Sequence, residues 1–246
     1  MSFTVDIELT NRCNAKCYFC PRDATPHQGL ITQEIFDAAL ARAVEYREAV
    51  DGVIDVSATA VSLCGLGEPL LPAAAARCVE QVRATPFACQ MSSNGALLDE
   101  RKGRALLDAG LQKIFINVGD RDDDYDEVYK LPWAKTRDNV VRFAEMAGDA
   151  CEVHIVLVDH RADAGHLADM RAFWTSHGID RFQEYGIINR GGALFVDHMQ
   201  YDTMQEIEEA RRLLAVDGEA PLCGAPFGYL FVGYDGQYYL CCSDWK

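Results

Sequence analysis

Three cysteines, Cys13, Cys17 and Cys20, fall within eight residues at a C-x3-C-x2-C spacing. A disulfide framework wants even numbers of cysteines, and a structural zinc wants four ligands. A cuboidal 4Fe–4S cluster normally takes four cysteines. Three in one loop leave one iron without a protein ligand, open to chelation by something that is not protein. The other cysteines form two groups. Cys223, Cys241 and Cys242 bracket a segment near the C-terminus. Cys64, Cys78, Cys89 and Cys151 sit singly in apolar stretches and read as core, with Cys64 nearest the chemistry.

A loop of this kind needs rigid elements around it. Short apolar runs at 3–9, 55–64, 87–93, 113–118, 151–158 and 182–188 read as strands. Amphipathic runs at 32–48, 72–84, 99–109, 126–147 and 163–177 read as helices between them. Such alternation builds a parallel sheet with helical crossovers, and six units suit an α/β partial (β/α)6 barrel or an open sheet. In barrels, chemistry gathers at the C-terminal ends of strands. Residues 10–20, 65–69, 92–95 and 117–120 all follow strand ends, so they are expected to share one mouth. Near residue 190 the pattern changes. A helix at 203–214 precedes "FGYLFVGYDGQYYLCC", where Asp235-Gly236 signals a two-residue hairpin. The expected division is 1–190 for the barrel and 191–246 for a small hairpin extension.

Composition sets outer bounds. The 246 residues are 49% hydrophobic, enough for one large domain. The net charge of −15 argues against a broad nucleic-acid or anionic-membrane surface. The acidic run "GDRDDDYDE" at 119–127 reads as a solvated loop. His154, in a strand, reads as structural. No stretch approaches the roughly 20 apolar residues that span a bilayer. The N-terminus lacks a cationic signal-peptide start. A cytoplasmic setting with reduced thiols is expected.

These residues together resemble the radical S-adenosylmethionine (radical SAM) superfamily, whose C-x3-C-x2-C loop follows the first strand with an aromatic residue before the last cysteine. Here that aromatic is Phe19. "GLGEP" at 65–69 is similar to the family's GGEP motif, with Leu66 where a glycine usually stands. "SSNG" at 92–95 is similar to the segment after the third strand. The resemblance implies a SAM-binding 4Fe–4S cluster on Cys13, Cys17 and Cys20. It implies SAM contacts from Phe19, Gly67, Glu68, Ser93, Asn94 and Asn117. It implies one-electron cleavage of SAM to a 5′-deoxyadenosyl radical that takes a hydrogen atom from substrate. A reducing partner such as flavodoxin or ferredoxin is expected with it.

The step from Cys223 to Cys241 across a hairpin resembles the SPASM/twitch extension, in which further cysteines hold an auxiliary 4Fe–4S cluster. The later ligands of that pattern do not follow before Lys246, so an incomplete or unusual ligand set is expected, or a lost cluster. "NRGG" at 189–192 resembles a segment of radical SAM dehydrogenases that oxidise a secondary alcohol of an aminocyclitol. Arg190 there is implied at the substrate, in an orienting role, since a guanidinium is a poor base. The leading expectation is oxidation of a small polar metabolite, a sugar or aminocyclitol. Peptide modification, by thioether formation or epimerisation, is the alternative. Only twelve residues precede Cys13, which favours the small substrate over a leader-binding enzyme. A non-catalytic metal-binding module comes last.

Overall fold

The computed structural model describes residues 4–25, 27–52, 56, 59–161, 163–186 and 229–239. Seven parallel strands and one antiparallel strand form a single sheet in the order β6-β5-β4-β3-β2-β1-β7-β8. The strands are β1 (Thr4–Ile7), β2 (Ala60–Leu63), β3 (Ala88–Ser93), β4 (Lys113–Asn117), β5 (Glu152–Asp159), β6 (Phe182–Gly186), β7 (Tyr229–Val232) and β8 (Tyr238–Tyr239). Between them run α1 (Gln33–Val50), α2 (Ala75–Arg83), α3 (Glu100–Asp108), α4 (Asp122–Tyr129), α5 (Trp133–Ala147) and α6 (Ala164–Ser176). All six expected strands are present, and helices follow the first five of them among the described residues, as in a partial β/α barrel.

The register explains why these strands join. Ile7 pairs with Leu63, Leu63 with Met91, Met91 with Ile114 and Ile114 with Val153. This rung is buried throughout and belongs to the core that also takes Phe36, Val79, Leu106, Phe143 and Trp174 from the helices. Side chains alternate along a strand, so the neighbouring positions turn to the opposite face. Most positions on that face are polar, among them Asp6, Ser62, Gln90, Ser92, Asn117 and His154, with Phe115 packed against His154. His154 is satisfied there by Glu152, at 3.0 Å. Cys78, Cys89 and Cys151 are buried and Cys64 is half-buried, as the sequence indicates.

Three helices start at side-chain caps. Thr32, Asp99 and Asp163 each accept a backbone N–H of the first turn. The single helix expected over 126–147 is two. Lys130 ends α4 in the left-handed region (φ 56°), and Pro132 stands before α5. Proline disfavours helical backbone in the residue before it. The acidic run is not a solvated loop either. Asp122–Asp124 form the first turn of α4, where carboxylates complement the helix dipole. Asp120 is fully buried.

The C-terminal hairpin also differs. The Gly236 N–H donates to the Gly233 carbonyl, and Gly233 pairs with Gln237, leaving a three-residue loop. Gly236 alone has a positive φ (82°). This is the hairpin class that ends in one left-handed glycine, because a two-residue type I′ turn needs two. The Asp235 carboxylate instead accepts the Gln237 N–H at 3.1 Å. The hairpin is no appendage to the sheet: β7 lies parallel to β1, with Ile7 opposite Val232. The expected helix at 203–214 and the proposed boundary near 190 lie outside the described residues.

Candidate functional site

The loop after β1 is pinned before it reaches the first cysteine. Thr10 Oγ1 donates to the Gly29 carbonyl at 2.5 Å, and Asn11 Nδ2 to the His27 carbonyl at 2.7 Å. The Gly29 N–H returns a bond to Asn11 Oδ1 at 2.9 Å. Cys13, Cys17 and Cys20 follow, all half-buried. The Cys20 N–H donates to the Cys17 carbonyl at 3.0 Å, which turns the chain between these two thiols. Arg22, buried beneath them, donates to the Ala15 carbonyl at 3.2 Å.

Burial pushes the Cys13 thiol up to about 11; the Ala15 N–H and Arg22 oppose the rise, while Glu68 and Cys20 add to it. Cys17 is raised further, by burial first and then by Cys20 and Cys13. Cys17 thus lies close enough to feel both other sulfurs, and Cys13 feels that of Cys20. A metal that takes them as thiolates must displace their protons. Among the described residues, no three His, Cys, Asp or Glu side chains converge as they would on a single ion. A 4Fe–4S cube has its irons at separate corners, so its thiolates need not converge on one point. Three thiols on one loop are a donor set that fits a thiolate-ligated cluster.

The loop after β2 docks against this one. The Glu68 N–H donates to the Arg12 carbonyl at 2.8 Å. A Cβ on Gly67 would overlap the Thr10 and Arg12 carbonyls, so only glycine permits this approach. Gly65 is in the same position against the Glu8 carboxylate, which accepts the Leu66 N–H at 2.7 Å. The open side of both glycines is filled by protein.

Glu68 is 1% exposed. Its Oε1 accepts Ser93 Oγ at 2.8 Å and the Leu70 N–H at 3.0 Å. Its Oε2 accepts the Asn94 N–H at 2.8 Å. Burial raises its pKa; the Asn94 and Leu70 N–H groups, the Ser93 hydroxyl and Lys102 pull the other way. The carboxylate thus ties the loop after β2 to the end of β3. Asn94 extends the tie: its Nδ2 donates to Asn14 Oδ1 at 2.9 Å and lies 3.7 Å from Cys13 Sγ. Asn117 Nδ2, on β4, reaches Ser92 Oγ at 3.1 Å.

The expected residues Cys13, Cys17, Cys20, Gly67, Glu68, Ser93 and Asn94 therefore form one connected network, with Asn117 at its margin. Phe19 lies against Tyr129, edge-on with centroids 5.7 Å apart, and stacks on His160 at 5.8 Å. Arg190, Cys223 and Cys241 lie outside the described residues. Sequence reasoning passed over Glu8, Arg22, Tyr129, Asp120 and His160. For the last two a signal existed: "VGD" and "VDH" both follow apolar strands at the expected mouth.

The Radical SAM superfamily profile matches residues 7–169. No curated protein matches the chain. Several solved structures do. SuiB from Streptococcus suis, bound to S-adenosylmethionine, has a TM-score of 0.69 at 14% identity. The match covers 98% of this chain and 60% of SuiB, so the chain spans less than two thirds of that protein. An anSMEcpe structure with bound AdoMet gives 0.66 at 14% identity, covering 99% and 72%. BtrN in complex with AdoMet and 2-DOIA gives 0.59 at 14% identity, covering 100% and 75%. At these identities the likeness is one of fold.

Proposed function

Since the chain belongs to the Radical SAM superfamily, we propose that it cleaves SAM reductively and oxidises an alcohol of a small polar substrate, a sugar or aminocyclitol. The observation that carries the first half is the network joining Cys13, Asn94 and Glu68, which brings the ends of β1, β2 and β3 to one place. When bound, the cluster and SAM supply one-electron cleavage and a hydrogen-abstracting radical; the protein supplies binding, orientation and exclusion of side reactions.

Cys13, Cys17 and Cys20 hold the cluster as thiolates. Asn94 Nδ2, beside Cys13 Sγ, is a donor that adjusts the electron density of that ligand. Gly67, Glu68, Ser93, Asn94 and Asn117 shape the wall that receives SAM, and Phe19 packs on its adenine. Arg190 orients the substrate. A flavodoxin or ferredoxin delivers the reducing electron.

The oxidation needs an acceptor for a second electron, and we assign it to an auxiliary cluster on Cys223 and Cys241. Its support is the placement of the hairpin. β7 pairs with β1, and the Glu8 N–H donates to the Val232 carbonyl at 2.9 Å, beside the loop that carries Cys13. A second reading, peptide modification, is favoured by the likeness to SuiB bound to precursor peptide SuiA, with a TM-score of 0.67.

The test begins with anaerobic reconstitution and reduction in the presence of SAM. Formation of 5′-deoxyadenosine is expected from wild type and not from the Cys13/Cys17/Cys20→Ala variant. No nucleoside from wild type would sink the proposal. Iron analysis of that triple variant then separates oxidation from a redox-neutral reaction. About four irons per chain support the auxiliary cluster and oxidation. A variant free of iron removes the electron acceptor and favours a redox-neutral change such as epimerisation over any oxidation.

A further inference from the structure

Asp120 follows β4 and is 0% exposed. Its Oδ2 lies 2.7 Å from His160 Nε2, and its Oδ1 lies 2.7 Å from Arg161 Nη2 and 3.2 Å from His166 Nε2. His166 Nε2 is also 2.8 Å from the Gly119 carbonyl. Burial works against this carboxylate, but the hydrogen bond from His160 and the Arg161 charge beside it hold its pKa low.

His160 continues the chain of bonds. With its Nε2–H given to Asp120, Nδ1 is left to accept, and the Tyr18 hydroxyl lies 2.6 Å away. Tyr18 and Phe19 are the two residues between Cys17 and Cys20. His160 thus engages both, Tyr18 by a hydrogen bond and Phe19 by ring stacking at 28°. Tyr129 grips the same loop from α4: its carbonyl accepts the Lys16 N–H at 3.0 Å and its ring meets Phe19 edge-on.

A buried ionic network is a poor way to gain stability, since well-packed apolar groups of the same volume do as well or better. What it adds is direction. Asp120 fixes the orientation and tautomer of the imidazole, and a fixed Nδ1 places the Tyr18 hydroxyl at one point.

We propose that Asp120 and His160 are positioning residues that set the Cys17–Cys20 segment, through Tyr18 and Phe19, in the geometry that SAM docks against. The proposal rests on the reading of this loop as the cluster and SAM site. It makes two residues from the ends of β4 and β5, neither a ligand nor a substrate contact, determinants of SAM affinity.

The experiment compares reconstituted wild type with Tyr18→Phe, Asp120→Asn and the double variant. Tyr18→Phe removes one oxygen atom and keeps the ring. Asp120→Asn turns an amide toward His160 and reverses the order of donors along the chain. The readouts are SAM dissociation constant, the change in the reduced cluster's EPR spectrum when SAM is added, iron content and melting temperature. Each single variant should weaken SAM by roughly ten- to a hundredfold, the range seen when outer-shell partners of a metal site are removed. Each should also alter the SAM-induced EPR change. The double variant should be no worse than the weaker single one, because both cut one chain of bonds. Loss of the cluster from a folded Tyr18→Phe protein also supports the proposal. SAM affinity within about twofold of wild type in Tyr18→Phe, or penalties that simply multiply in the double variant, would overturn it. Should Asp120→Asn fail to fold, Tyr18→Phe alone decides. Wild type that binds no SAM overturns the functional reading itself, a result distinct from variants that bind as wild type does.

Discussion

At the scale of single residues, the site is governed by what each buried polar group must bond to. Glu68 shows this best. The family resemblance implies that it contacts SAM. In the fold it already accepts from Ser93, Leu70 and Asn94. Removing it leaves three buried donors without an acceptor, and each such loss costs about 1–3 kcal/mol. Glu68→Ala should therefore lower the unfolding free energy of the metal-free protein by about 3 kcal/mol or more, measured by urea titration. Glu68→Gln keeps one acceptor oxygen but turns an amide toward donors, so its loss should be smaller, about 1–2 kcal/mol. Both should weaken SAM binding, because the end of β3 moves with the clamp. A Glu68→Ala protein as stable as wild type would show that the carboxylate holds nothing. Gly67 makes the complementary point. A side chain there must displace the Thr10 and Arg12 carbonyls. Gly67→Ala should cost about 1–3 kcal/mol, as overpacking does, and weaken SAM with it.

At the scale of elements, most of the architecture could be read from the sequence. Strands β1 to β6 appear where apolar runs predicted them, because their buried faces share one register. Helix starts were legible wherever a capping side chain stood ahead of an amphipathic run, as at Thr32, Asp99 and Asp163. The break between α4 and α5 was missed although Pro132 marked it, since amphipathic periodicity continues on both sides. Asp120 was misread for a different reason. Its partner His160 lies forty residues along the chain, and no local pattern announces that pairing. The break carries a prediction. Lys130 is exposed and holds a left-handed conformation at the end of α4. Such backbone costs a residue with a Cβ about 1–2 kcal/mol, and glycine avoids that cost while losing more freedom on folding. Lys130→Gly should therefore raise stability by about 0.5–1 kcal/mol in urea unfolding. A loss instead would mean that the lysine side chain supplies a contact outweighing its strain.

At the scale of the whole molecule, the first described strand lies beside the first strand of the C-terminal hairpin. No periodicity in either β1 or β7 foretells this parallel pairing, which joins chain segments more than two hundred residues apart. The sheet it completes also buries thiols that take no part in the cysteine loop. Burial pushes Cys78 up to about 11, and Cys89 and Cys151 up to about 12. Unfolded thiols titrate near about 8.5. Between these values the folded chain keeps protons that the unfolded chain releases, so raising the pH favours unfolding. The stability these protonated thiols contribute is complete below pH about 8.5 and is lost as the pH climbs toward about 12. One pKa unit corresponds to about 1.4 kcal/mol, so a single buried thiol becomes a matter of several kcal/mol at pH 11. Cys89 is the best probe, being fully buried on β3 and distant in function from the loop. Cys89→Ala should lower stability at pH 7 by about 1–2 kcal/mol through lost packing. Between pH 8 and 11, under reducing conditions, its unfolding free energy should fall less steeply than that of wild type. The two curves should approach each other as the pH rises and cross at about pH 10. Curves that stay parallel over that range would show that the Cys89 thiol ionises as easily in the fold as in the unfolded chain.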